Sequence, residues 1–278
     1  MAASFSYYWF RFRSAWRWYA GAGTYRDVAD NRLAEFIREV YRDDRHYHAF
    51  DLIQAIRRYW SRREGVVKLQ SLGAPSKTTT RTERSVRSLV KSNAIGDDCG
   101  RLLFRLALWL KADRILEFGT NAGISTLYLH AADTRALLQT VEGNPAVAAL
   151  ARETFAKAGA SNQLKPYVSR FDAWLAEYWP ADPPEQPLDL FFLDGDHREG
   201  PTLDYVRRLL PAATAQSVFV IADIHWSEGM ERAWSQLKDF PEVRASLDVY
   251  HFGLLFFDPE MKAEHVSLVD AWWKPWRF

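Results

Sequence analysis

Acidic and imidazole side chains recur in the second half of the chain, where short apolar segments end. Four such segments each end in an acidic residue. In an open parallel sheet, ligands bind at the carboxyl ends of the strands, so the groups at the ends of these four predicted strands are expected to meet in one site. Any single acid at such an end also suits the start of the next helix as a cap, so the inference depends on the four together. The acids are Glu117, Glu142, Asp194 and Asp223, and His197 and His225 follow the last two.

The segment from 117 to 126, Glu-Phe-Gly-Thr-Asn-Ala-Gly-Ile-Ser-Thr, has the composition of a ligand-binding turn between a strand and a helix. Glycines at 119 and 123 allow close backbone approach to a ligand, and N–H groups at a helix start suit anionic groups. The spacing differs from the dinucleotide fingerprint and from the phosphate loop. Glu142, followed by Gly143, ends the next apolar segment, where a nucleoside-binding fold hydrogen-bonds ribose hydroxyls.

Apolar segments and helical patterns alternate from residue 113 onward, which predicts parallel βαβ units in an α/β fold. The two last apolar segments, 243–250 and 253–257, are too close for a helical crossover, so we expect them to pair antiparallel. The other predicted strands lie near 113–117, 137–142, 165–169, 188–194 and 217–223, with helices near 145–159, 201–210 and 228–238.

Residues 1–98 have a helical pattern and predict an N-terminal extension to a catalytic domain over 99–278. Residues 71–84 are rich in Gly, Pro, Ser and Thr, which predicts a loop, either a mobile segment that closes over ligand or a plain linker. Residues 102–110 predict a buried helix before the first strand. The N-terminal apolar positions recur at three- and four-residue steps: Leu33, Phe36, Ile37, Val40 and Tyr41, then Phe50, Ile53, Ile56 and Trp60.

The composition is that of a globular protein, with 278 residues, 48% of them hydrophobic, and one cysteine, Cys99. A single cysteine excludes an intramolecular disulfide, which fits a reducing cytoplasm. No apolar run reaches the roughly 20 residues that span a bilayer. The first residues, 1–4, lack the basic and apolar regions of a signal peptide. We therefore expect a cytoplasmic location.

Charge and aromatic residues are unevenly distributed. Residues 1–100 hold 18 Lys and Arg against 11 Asp and Glu, whereas the remainder holds 18 against 24. A basic half suits nucleic acid or an anionic surface, but more often it is a solvated face, so we do not expect nucleic-acid binding.

Residues 5–19 contain nine aromatics with arginines between them, and 272–278 repeat the mixture. We expect these ends to pack on the protein or in a homodimer; peripheral membrane contact and stacking on nucleic acid or an aromatic substrate are the less favoured alternatives.

The motifs resemble the class I S-adenosylmethionine-dependent methyltransferases, in the O-methyltransferase-like branch, and the wider chain is similar to uncharacterised bacterial members with a helical N-terminal extension. The resemblance implies a Rossmann-like sheet and S-adenosylmethionine as cofactor. It also implies that Glu142 and Gly143 lie at the ribose and that Phe171 and Asp172 lie at the adenine. The implied cofactor-binding residues of the first and fourth motifs are Glu117, Gly119, Thr120, Asn121, Gly123, Ser125 and Asp194.

The resemblance implies methyl transfer to a hydroxyl of a small-molecule acceptor, and it leaves two routes for handling the hydroxyl proton. In one, Mg²⁺ bound by Asp194 and Asp223 lowers the acceptor pKa, although Ile224 stands where catechol-type relatives carry a third oxygen ligand and only His225 is near to replace it. In the other, His197, or else His225, is the base. An RNA-directed methyltransferase and a non-catalytic binding protein on the same fold are the alternative functions.

Overall fold

An eight-stranded mixed sheet forms the centre of the protein in the computed structural model, which describes residues 5–69, 83–179 and 187–271. A separate two-stranded antiparallel sheet precedes it, formed by β1 (Val66–Lys68) and β2 (Glu83–Ser85). The strands of the main sheet are β3 (Arg114–Phe118), β4 (Leu137–Glu142), β5 (Leu164–Val168), β6 (Leu190–Leu193), β7 (Val218–Ala222), β8 (Ala245–Asp248), β9 (Phe252–Phe256) and β10 (Glu264–Ser267).

The order of strands across the main sheet is β10-β8-β9-β7-β6-β3-β4-β5. Strands β3 to β7 are parallel, and the chain moves outward from β3 through β4 and β5 before it returns to β6 on the other side of β3. Such a reversal opens a crevice at the carboxyl ends of the two central strands, which is where ligands bind in open α/β sheets. The topology therefore directs attention to the turns that follow β3 and β6.

Helices cover both faces of this sheet because neighbouring residues of each strand point to opposite sides. Local signals fix several helix ends: Asn144 caps α7, with Pro145 at its first position, and Ser227 caps α10. The helices are α1 (Phe5–Gly21), α2 (Asn31–Phe36), α3 (His48–Arg62), α4 (Val86–Asn93), α5 (Asp97–Leu110), α6 (Ile124–Ala132), α7 (Pro145–Ala158), α8 (Phe171–Tyr178), α9 (Glu199–Leu209) and α10 (Glu228–Lys238).

The N-terminal helices share a hydrophobic core with the sheet. One cluster joins α2, α3 and α5 to α6, α7 and one sheet face, and the other cluster joins α8, α9 and α10 to the opposite face. Trp60 of α3 is fully buried and donates a hydrogen bond from Nε1 to Thr154 Oγ1 of α7 at 2.8 Å. The division of the chain at residue 98 stays a prediction, and α5 begins just before it.

The predicted strands and helices of the second half are confirmed within a few residues, as is the antiparallel pairing of β8 with β9. Strand β10 was not predicted, because Glu264–Ser267 is short and has no apolar run. It pairs parallel to β8 at the sheet edge.

The predicted loop was wrong at its end, since residues 83 and 84 belong to β2 and pair with β1. The rest of that loop and the aromatic C-terminus lie outside the described residues. Within the described ranges, the helices are too short or too polar to cross a bilayer.

Candidate active site

The turn after β3 lies against the end of β6. Gly119 has a φ of +107°, and a Cβ placed on it would stand 2.0 Å from the carbonyl oxygen of Asp194, so only glycine fits there. The Asp194 N–H donates to the carbonyl of Phe118 at 2.8 Å, which ties the two strand ends together. Gly123, with a φ of +82°, is just as constrained because a Cβ would meet the ring of Phe155 at 2.6 Å.

Glu117 lies in the interior, beneath this turn. Its side chain is fully buried, and its Oε2 accepts hydrogen bonds from Thr126 Oγ1 at 2.5 Å and Thr140 Oγ1 at 2.6 Å. Burial raises the pKa of Glu117, partly offset by hydrogen bonds from neighbouring hydroxyls, Ser125 among them. This carboxyl therefore connects β3 to β4 and α6.

Glu142, at the end of β4, holds the same turn from the side. Its Oε2 accepts from the Asn121 N–H at 2.9 Å, and its Oε1 accepts from the Asn144 N–H at 2.8 Å. Burial raises the pKa of this carboxyl, although the backbone hydrogen bonds oppose the rise. Each carboxylate oxygen has two acceptor sites, so the geometry leaves capacity for the hydroxyls of a sugar.

Phe171 closes the crevice at the start of α8. Its ring stacks on Phe118 with centroids 4.6 Å apart and an interplanar angle of 9°, and a Cβ on Gly195 would meet it at 2.9 Å. Asp172 points elsewhere and pairs with Arg170 at 3.1 Å on the surface. The structure therefore brings Phe171 to the crevice and places Asp172 beside it.

Three side chains converge at the ends of β6 and β7. His197 Nε2 lies 3.8 Å from Asp194 Oδ1 and 3.8 Å from Asp223 Oδ2. The ligand atoms of the three residues lie within 4.8 Å of one another. These distances are too long for hydrogen bonds, so the described residues leave room for an atom between the three groups.

Burial shapes the protonation of this cluster. Burial raises the pKa of Asp194 well above its ordinary 3.8, and the negative charges of Asp223 and Glu117 add to the rise. Burial also lowers the pKa of His197 below 6.5, against the opposing charges of Asp223 and Asp196. A neutral imidazole beside two acids has a free lone pair for a proton or for a metal ion.

Backbone strain is concentrated at the same edge of the sheet. Six non-glycine residues in the described part of the chain have a positive φ, and all but Lys111 follow strands at this edge: Asn121, Asp196, His197, Asp223 and Tyr250. Such conformations are costly and cluster at functional sites. The strained turns aim the polar side chains of neighbouring strands at a common point.

His225 lies at the same edge but has a different environment. Its Nε2 is 2.9 Å from Asp248 Oδ2, its Nδ1 is 3.3 Å from Glu231 Oε1, and its ring stacks on Tyr250. Burial alone lowers the pKa of His225, but the hydrogen bonds and charges of Asp248 and Glu231 outweigh it and raise the pKa. Both ring nitrogens of His225 are therefore engaged.

Helix α1 packs on the edge of the sheet beyond β7, so the expectation that the aromatic N-terminus packs on the protein is confirmed, although this position was not predicted. Tyr7 meets the ring of Trp226 at 5.7 Å, and Arg11 lies over that ring at 5.1 Å. Burial raises the pKa of Tyr7, as does the negative charge of Asp223. The spacing of Tyr7, Arg11, Ser14 and Trp18 is the one signal that indicates this helix face, since these positions recur every three or four residues.

Two neighbours of the cluster are apolar and buried. Ile224 is fully buried in the core, so the position after Asp223 supplies no ligand. Met230 lies in the same core, whereas Trp226 is half-buried against α1.

Comparisons with known proteins agree with this architecture. Residues 116–224 match a family model described as a methyltransferase domain. No curated protein sequence matches the chain.

Solved methyltransferases have the same fold. The O-methyltransferase TomG of Streptomyces achromogenes, solved with S-adenosylmethionine, is 20% identical, with a TM-score of 0.53 over 77% of this chain and 91% of that one. The methyltransferase PaMTH1 of Podospora anserina, solved with S-adenosylhomocysteine, is 17% identical, with a TM-score of 0.56 over 82% and 96%. An O-methyltransferase of Bacillus cereus is 14% identical, with a TM-score of 0.51 over 81% and 96%.

The chain has the fold of the class I methyltransferases, and residues 116–224 match a methyltransferase domain. Its methyltransferase domain spans the strands that carry the glycine turn, Glu142, Asp194 and Asp223. The fold class predicted from the sequence is confirmed.

Proposed function

We propose that this protein transfers the methyl group of S-adenosylmethionine to a hydroxyl oxygen of a small molecule. The observation that carries the proposal is the convergence of Asp194, His197 and Asp223 beside the glycine turn, at the crevice between β3 and β6. A donor site and a group that handles the hydroxyl proton are the two requirements of this reaction, and they adjoin here.

The crevice fits the cofactor on the evidence of its own geometry. Gly119 keeps the turn open and close to β6, and α6 follows Gly123 without a side-chain cap, so its first N–H groups suit a carboxylate. Glu142 offers acceptor capacity for the ribose hydroxyls, and Phe171 offers an aromatic face for the adenine. When bound, the sulfonium of S-adenosylmethionine supplies an activated methyl group and leaves as a neutral thioether.

His197 then has a defined task in the first of two routes. Its neutral Nε2 accepts the proton of the acceptor hydroxyl, whose oxygen forms the new bond to the methyl carbon as the carbon–sulfur bond breaks. The carboxylate of Asp223, 3.8 Å away, stabilises the imidazolium that results, and Asp194 lies at the same distance. Asp223 therefore balances the charge of the protonated base.

A divalent cation held by Asp194, His197 and Asp223 is the second route. Two carboxylate oxygens and one imidazole nitrogen fit such an ion, but a nitrogen ligand favours Mn²⁺ or another transition metal over Mg²⁺, which prefers oxygen. The ion would supply Lewis-acid activation of the hydroxyl. We place His197 in the third ligand position because Ile224 cannot ligate and both nitrogens of His225 are engaged.

We also propose a cytoplasmic location. A single cysteine supports a reducing compartment.

The proposal is tested by calorimetric titration with S-adenosylmethionine. We expect micromolar binding to the wild type and at least tenfold weaker binding to Glu142→Ala, because a hydrogen bond to a charged group contributes about 1.5–3 kcal/mol. Glu242→Ala, an exposed acid at the opposite edge of the sheet, is the matched control and should bind like the wild type. No heat of binding to the folded wild type would refute the proposal.

A further inference from the structure

The outward face of α1 carries an exposed aromatic stripe. Tyr8, Trp9, Phe12 and Trp16 are 60%, 55%, 62% and 59% exposed, the largest such group on any one helix in the described ranges. They lie at positions i, i+1, i+4 and i+8 and therefore share one side of the helix. Exposed apolar patches of this kind mark interaction surfaces.

Contacts on the opposite face hold α1 in place, so this exposure is a property of the docked helix. Ser14 donates a hydrogen bond to Glu231, and Arg17 pairs with the same carboxylate at 2.8 Å. Trp18 Nε1 donates to the carbonyl of Asp248 at 3.4 Å, and its ring packs on Tyr250. Residues directed toward the protein therefore alternate with residues directed outward along one regular helix.

The charge of α1 indicates the chemistry of its partner. The helix contains Arg11, Arg13 and Arg17 and no acidic residue. Arg13 is exposed among the rings of the stripe, and Arg17 is half-exposed. Aromatic rings beside arginines suit a surface that is apolar at one depth and anionic at another.

A second copy of this chain fits the stripe poorly. A symmetric dimer would bring the same face of two α1 helices together and oppose their arginines, which is unfavourable. The exposed area of the stripe is also too small for a stable dimer. An aromatic side chain buries ~150–250 Å², so four rings that are just over half exposed offer roughly 300–600 Å². A stable protein interface buries about 800 Å² on each partner.

We propose that the outward face of α1 binds an anionic membrane surface. The helix lies parallel to the bilayer, with the four rings at the boundary between headgroups and acyl chains and with Arg13 among the anionic headgroups. The surface formed by Tyr8, Trp9, Phe12, Arg13 and Trp16 is called the membrane face below. The membrane face lies on the side of α1 opposite Tyr7 and Arg11, which contact Trp226 beside the site. The inference therefore does not depend on which methyl acceptor the site binds.

Vesicle co-sedimentation of the full chain tests the proposal, with phosphatidylcholine vesicles compared with vesicles that contain 30% phosphatidylglycerol. We expect binding to the anionic vesicles, at least tenfold weaker binding to the neutral ones, and release in high salt. Trp9→Ala with Trp16→Ala should lower the partition coefficient at least tenfold. Arg13→Ala should lower it about fivefold, since a basic residue near an anionic surface contributes about 1 kcal/mol.

Tyr178→Ala on α8 is the matched control, because Tyr178 is a 46% exposed aromatic outside the membrane face. It should partition like the wild type. Circular dichroism melting verifies that every variant folds, and light scattering of each variant measures its oligomeric state.

Two results would overturn the proposal. The first is an absence of binding to anionic vesicles, or binding that the membrane-face variants leave unchanged. The second is a dimer in solution that the double tryptophan variant converts to monomer, which would assign the stripe to a second copy. Because S-adenosylmethionine binding is measured separately by calorimetry, neither result would be confused with a failure of the catalytic proposal.

Discussion

His197 and His225 follow neighbouring strands, β6 and β7, yet their surroundings differ. His197 stands 3.8 Å from each of two carboxylates, beyond hydrogen-bond reach, whereas His225 has a carboxylate at each of its nitrogens, at 2.9 Å and 3.3 Å. The pKa of the first is lowered by burial, and the pKa of the second is raised by Asp248 and Glu231, which outweigh its burial.

The comparison separates a reactive imidazole from a structural one. A neutral ring with a lone pair directed into a crevice receives a proton or a metal ion. An imidazole with an acid at each nitrogen instead joins β8 and α10, and Glu231 extends the network to Ser14 and Arg17 of α1. Under the proposed function, the same residue type at the same edge serves catalysis in one position and docking of the N-terminal helix in the other.

The largest expected effect is on catalysis. His197→Gln should lower kcat by roughly 10²–10⁴-fold, the range for loss of a general acid–base group, while leaving S-adenosylmethionine affinity unchanged. His225→Gln should lower kcat less than tenfold. Transfer of a radiolabelled methyl group to phenol and catechol acceptors measures both. Equal losses in the two variants would erase the distinction between the histidines.

Metal binding is expected to depend on the acids around His197 and not on those around His225. Asp223→Asn should weaken Mn²⁺ binding at least tenfold, since even partners of metal ligands contribute 10–100-fold. Asp248→Asn, which faces His225, should bind Mn²⁺ like the wild type. Electron paramagnetic resonance of free Mn²⁺ measures the Mn²⁺ affinity of both variants and does not require methyl transfer. If the wild type binds neither Mn²⁺ nor Mg²⁺, the metal route fails and the base route remains.

The third effect is on stability. Here the His225 variant should lose more than the His197 variant, which is the reverse of their expected order for kcat. His225→Gln should lower the free energy of unfolding by about 2–3 kcal/mol at pH 6, because it removes hydrogen bonds to charged groups. Urea unfolding of each variant measures the change. His197→Gln, which removes no hydrogen bond from its side chain to the acids, should cost under 1 kcal/mol.

The pH dependence of that difference has a defined sign. The folded pKa of His225 lies above 6.5, so protonation stabilises the fold. The contribution is complete below pH 6.5 and is lost as the pH rises through the folded pKa. The groups that face the ring are Asp248, Glu231 and Tyr250, with Arg17 on the far side of Glu231. The gap between wild type and His225→Gln should be wider at pH 6 than at pH 9; a gap that widens with pH would contradict the assignment.

The sequence was sufficient for the frame of the site and insufficient for the roles within it. Buried parallel strands are short apolar runs, so β3, β4, β6 and β7 and the acids at their ends were predictable. The partners of His225 were not predictable, because Asp248 lies 23 residues further along the chain, at the end of β8, which is joined to β7 through the antiparallel strand β9. Glu117 has the position of a ligand-binding acid, but its burial beneath the turn is a tertiary property. Composition indicated an unusual N-terminus, whereas the docking of α1 depends on contacts with Glu231 and Asp248.

The most direct test of the central distinction is a pH titration of the imidazole resonances by nuclear magnetic resonance, in metal-free buffer. His197→Gln and His225→Gln assign the two rings. The account predicts that His197 titrates below 6.5 and is neutral at pH 7, while His225 titrates above 6.5. The reverse order would contradict it and would make His225 the candidate base.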